Sequence, residues 1–78
     1  MKYTLEQILK QERRKRMEGG LFGITACKQS IKFDVDHRNV KLTDLLDEYV
    51  KKANDDIFFN KTMILACWEL INEKGTVK

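Results

Sequence analysis

The sequence predicts an α+β fold: an N-terminal helix, a small antiparallel sheet of two or three strands, and two C-terminal helices packed as an αα-hairpin. Three observations predict it. A helix-capping pattern precedes apolar residues at helical spacing near the N-terminus. The middle of the chain changes to two-residue alternation. The second half returns to helical spacing and keeps it. The 78 residues contain no proline, no repeat and no linker-like stretch, so 1–78 is expected to be a single small domain. A core of this size is only just sufficient, which makes apolar surface outside the core worth locating.

The first helix is expected from about Thr4 to Glu18. Thr4 with Gln7 three residues later forms a capping box, and Leu5, Ile8 and Leu9 share one face. The next positions on that stripe hold Glu12, Arg13 and Arg16, so the apolar face stops after two turns. The rest is a charged rod ending at Gly19-Gly20. In the middle, "IKFDV" alternates Ile31, Phe33 and Val35 with Lys32 and Asp34, and "VKLT" alternates again. Residues 31–35 and 40–42 are therefore expected to pair as a hairpin across the turn-rich "DHRN", with 21–28 as a candidate third strand.

A third segment, 43–53, carries a clean stripe of Leu42, Leu45, Leu46, Tyr49, Val50 and Ala53, with Thr43 as its expected cap. "NDD" breaks the chain, and a last helix is expected from about Ile57 to Lys74, stopped by Gly75. Its apolar residues cover roughly 200° of the helix surface, where about 100° suffices for a surface helix. Such a helix is either central or offers a face to a partner. Phe58 and Leu65 fall outside the main arc and are the candidates for self-association as a homodimer.

Little of the sequence suits catalysis. His37 is the single histidine, and with Asp34 and Asp36 it fits a polar hairpin tip better than a metal site, which needs three or four convergent ligands. Cys27 and Cys67 lie in apolar runs without metal-ligand spacing and behave as buried thiols of a reducing compartment. "GGLFG" lacks the Lys-Ser/Thr ending of a phosphate-binding loop. No enzyme activity, cofactor or metal is expected. The longest apolar run, "MILACW", is too short to cross a membrane, and the early charges of the N-terminus do not suit a signal peptide, so a cytoplasmic location without membrane contact is expected.

What remains is charge. The net charge is +3, but residues 1–39 carry nine Lys/Arg against five Asp/Glu, while 40–78 carry six against seven. The excess lies mainly in Lys10–Arg16. Lys10, Arg13, Arg14 and Arg16, with Met17, form the expected partner-binding surface, on a half of the first helix that the core does not use. The function expected is that of a non-enzymatic binding protein: a small regulator, adaptor or inhibitor of a macromolecular partner, a protein in the first instance. The alternative is nucleic-acid binding, the same helix tracking phosphates. A pI of about 9.0 and the lack of an aromatic within the basic run count against it. A helix-turn-helix over the last two helices is disfavoured because "IFFNKTMI" is largely apolar where a recognition helix is polar.

Overall fold

The computed structural model describes residues 2–17 and 23–76, the side chains of 17 and 74–76 excepted. Four helices account for its regular structure: α1 (Leu5–Met17), α2 (Ile24–Arg38), α3 (Leu42–Asp55) and α4 (Thr62–Thr76). Among the described residues there is no strand, so the expectation of an α+β fold with a two- or three-stranded sheet is overturned. The molecule is a small all-α bundle with principal extents of 32 × 26 × 19 Å.

The hairpin over 31–35 and 40–42 is replaced by α2, a three-residue link and the start of α3. The physical reason lies in which residues are buried. Ile24, Cys27, Ile31 and Val35 recur at helical spacing and pack on or in the core. Phe33, the middle residue of the apparent alternation, is 58% exposed and stacks on His37, one turn further along the helix, with ring centroids 4.0 Å apart. A five-residue alternation is too short to separate a strand from a turn and a half of helix. The candidate strand at 21–28 is likewise corrected from Ile24 onward, where α2 begins; 21 and 22 lie outside the described residues, as do Gly19 and Gly20. Gly23 precedes α2 with φ of 79°, and Asn39 ends it with φ of 53°, the left-handed conformation that Gly adopts freely and Asn tolerates.

α1 and α3 appear close to their expected positions. The Thr4–Gln7 capping box is formed reciprocally: the Thr4 N–H donates to Gln7 Oε1 at 2.9 Å, and the Gln7 N–H to Thr4 Oγ1 at 3.2 Å. α3 begins one residue before Thr43, with Lys41 rather than Thr43 at the N-cap. The last helix starts at Thr62 instead of Ile57, because Asp56 adopts an extended conformation and its side chain accepts the Phe58 N–H at 2.9 Å. That local bond diverts the chain into a turn. Asn60 Oδ1 then caps α4 by accepting the Thr62 N–H at 3.1 Å. α4 continues through Gly75 to Thr76, so Gly75 does not stop it.

α4 is the centre of the bundle and packs against α1, α2 and α3. Four consecutive residues, Ile64, Leu65, Ala66 and Cys67, are fully buried. Around them gather Ile8 and Leu9 of α1, Ile31 of α2, and Leu45, Leu46, Tyr49 and Ala53 of α3. Asn54 ties the N-terminal segment to α3: its Oδ1 accepts the Tyr3 N–H at 2.6 Å, and its Nδ2 lies 3.0 Å from both the Tyr3 and Val50 carbonyls.

Tyr49 is an exception within this well-satisfied interior. Its ring packs against Phe59, but among the described residues its buried hydroxyl has no hydrogen-bond partner. Burial, reinforced by the negative charge of Asp34, pushes the phenol up to about 12. An orphaned hydroxyl costs more than it contributes. Tyr49→Phe should therefore leave stability unchanged or raise it by up to about 1 kcal/mol in urea unfolding. A loss larger than that would show that the hydroxyl is bonded in the folded protein.

Candidate functional site: the α1–α4 groove

The basic half of α1 is engaged with the fold more closely than its composition implies. Glu12, at the position where the apolar stripe ends, is 1% exposed. The Thr62 hydroxyl donates to Glu12 Oε1 at 3.1 Å, and Lys15 Nζ lies 3.2 Å from Oε2. A buried carboxylate without partners would be very costly. Here it is held by a hydroxyl and an ammonium, and Thr62 is the first residue of α4, where the helix dipole favours an anion. The stripe of Leu5, Ile8 and Leu9 thus continues inward through a polar contact.

Arg13 and Arg16 also turn toward α4. The Arg13 guanidinium lies over the Trp68 ring, 4.5 Å from its centroid. Arg16 pairs with Glu69, which also receives Lys28 of α2 at 3.1 Å, while Lys28 reaches Glu73 at 3.2 Å. The hydrogen bond that Lys28 donates to Glu69 raises its ammonium above its ordinary value against the opposing effect of burial. Lys10 and Arg14 differ. Both are exposed, and among the described residues neither makes an ion pair or hydrogen bond. Of the five residues expected to bind a partner, then, Lys10 and Arg14 are available, while Arg13 and Arg16 are committed within the molecule. The Met17 side chain lies outside the description.

Between α1 and α4 these residues border a groove lined by Leu5, Glu6, Leu9, Lys10, Arg13 and Trp68. Its floor is apolar, from Leu5, Leu9 and the Trp68 ring. Its rim is cationic at Lys10 and Arg13, with Glu6 at one end. Trp68 is the member that sequence reasoning missed as a site residue, because it was counted as one of many apolar positions on the last helix. Its pairing with Arg13, 55 positions earlier, left no local signal.

The two residues singled out for self-association part company. Leu65 is fully buried at the centre of the bundle, so no surface contact can use it; Phe58 is 88% exposed and lies in the α3–α4 turn rather than on the last helix. Asp34, Asp36 and His37 sit on α2 rather than at a hairpin tip. Among the described residues no cluster of three or more His, Cys, Asp or Glu could hold a metal ion. Both cysteines are free thiols. Burial raises the thiol of Cys27 and pushes that of Cys67 up to about 11, so Cys67 stays protonated at neutral pH, and it donates to the Leu42 carbonyl at 3.4 Å. Among the described residues no helix is long and apolar enough to cross a membrane. Comparison with known protein families, curated proteins and solved structures found no match to this chain.

The Glu12–Thr62 contact holds the groove's two walls together. Thr62→Val, which keeps the shape but removes the hydroxyl, should destabilise the protein by about 1–3 kcal/mol, whereas Thr62→Ser should retain most of the stability. Chemical unfolding of both variants is the check. Equal stability of Thr62→Val and the wild type would mean that Glu12 does not depend on the hydroxyl.

Proposed function

We propose that this chain is a small non-enzymatic regulator, adaptor or inhibitor that binds an acidic segment of a partner protein in the α1–α4 groove. The observation that carries this reading is the placement of exposed Lys10 on the rim of an apolar floor that includes Trp68, with exposed Arg14 one turn further along α1. An amphipathic helix with acidic flanks suits such a groove: its apolar face covers Leu5, Leu9 and the indole, and its carboxylates meet Lys10 and Arg14. Arg13, stacked on Trp68, keeps a rigid cationic edge there at little entropic cost. Free thiols at both cysteines suit a reducing cytoplasm. Nucleic acid would use the same cations, but phosphate tracking has no need of the apolar floor.

Trp68 is the single tryptophan, so its emission reports on the groove directly. Titration with an acidic amphipathic helical peptide should shift and intensify that emission. Added salt should weaken the response, and Lys10→Glu/Arg14→Glu should abolish it while the far-UV circular dichroism stays unchanged. A single-stranded oligonucleotide serves as the second titrant. A response to the oligonucleotide alone would replace the protein-binding reading with the phosphate one. Emission indifferent to both, or a response that survives the charge reversals, would contradict the groove as the binding site.

A further inference from the structure

The α3–α4 turn holds two large apolar side chains in open water: Ile57 is 84% exposed and Phe58 88%. The segment is built rather than loose. Asp56 accepts the Phe58 N–H with its side chain at 2.9 Å and the Phe59 N–H with its carbonyl at 3.1 Å. Phe59 is anchored against Tyr49, and Asn60 caps α4. Ile57 and Phe58 are therefore presented together as a preformed apolar knuckle, flanked by the acidic Asp55 and Asp56. Much of the ordering cost of using them as anchors is already met by the fold.

At the other end of α3 a groove runs between α2, the start of α3 and α4. Val35, Val40, Leu42 and Ile71 line it, and Lys32 and Lys41 outnumber Asp36 along its edge. An apolar floor with a net positive rim complements an apolar knuckle with acidic flanks. α3 has 14 residues, and at 1.5 Å per residue it separates knuckle from groove by about 20 Å. The knuckle cannot reach the groove of its own molecule.

We infer that the occupant is a second copy of this chain, the knuckle of each copy seated in the groove of the other. A two-fold axis that sets the α3 helices antiparallel makes both contacts at once and closes the assembly as a pair. The same arrangement sets the exposed Asp44 and Asp47 of one copy toward the exposed Lys51 and Lys52 of the other. Two apolar anchors in shallow grooves make this a weak, concentration-dependent dimer. It uses no residue of α1, so it stands or falls separately from the α1–α4 groove.

Sedimentation of the full chain over a concentration series is the test. The mass should rise from 9.2 kDa toward twice that value. Ile57→Asp/Phe58→Asp replaces only exposed side chains, so this variant should keep its helical circular dichroism and remain a monomer. In a mixture of labelled and unlabelled copies, isotope-filtered NMR should show contacts from the Phe58 ring of one copy to the methyls of Val40, Leu42 and Ile71 of the other. A wild type that stays monomeric at NMR concentrations overturns the inference. So does a double variant that still dimerises, or intermolecular contacts from Phe58 to Leu5, Leu9 or Trp68 instead.

Discussion

A helical turn that is apolar on every side has no stable place in water, and this constraint organises the whole molecule. Ile64, Leu65, Ala66 and Cys67 point in four successive directions around α4, and all are fully buried. Cover must come from several sides at once, which is why α1, α2 and α3 each pack against α4. An exposed sheet edge would leave unpaired backbone groups beside the core, whereas helices bring their backbone bonds with them. Polar contacts, buried and exposed, also refer to α4. Glu12 bonds to its first residue, Arg13 lies over its tryptophan, and Arg16 and Lys28 meet on its Glu69.

The charge of α1 acquires a different meaning from this arrangement. As a string, Lys10–Arg16 is a basic run on a helix whose apolar face has ended. In the fold, the run is divided by direction. Glu12, Arg13 and Arg16 turn inward and fasten α1 to α4, and Lys10 and Arg14 face solvent. Exposed ion pairs such as Arg16–Glu69 add little stability on their own. Their effect here is positional: they hold α1 beside Trp68 and so shape the groove that Lys10 and Arg13 border. Structure and proposed binding thus share one short segment, with Arg13 serving both.

Much of the helical organisation was legible in the sequence, and its failures have specific causes. The Thr4–Gln7 box and the Leu45, Leu46, Tyr49, Ala53 stripe announced α1 and α3 because capping chemistry and long periodic stripes are local signals. Residues 31–35 misled because the exposed Phe33 mimics a third inward residue of a strand; its contact with His37 and the burial of Ile24, Cys27, Ile31 and Val35 reveal the helical spacing. The start of the last helix was misplaced because Ile57 and Phe58 extend an apolar run that Asp56 in fact interrupts. The Arg13–Trp68 stack and the burial of Glu12 were invisible in principle, since each depends on a helix some 50 residues away.

The central claim is that α4 is the shared core of an all-helical bundle. Native-state hydrogen exchange, followed amide by amide, tests it most directly. The account predicts that the amides of residues 64–71 exchange slowest, only through global unfolding, and that α2 shows continuous helical protection across Ile31, Phe33 and Val35. Alternating protection at 31–35, or α4 amides that exchange before those of α2 and α3, would contradict it.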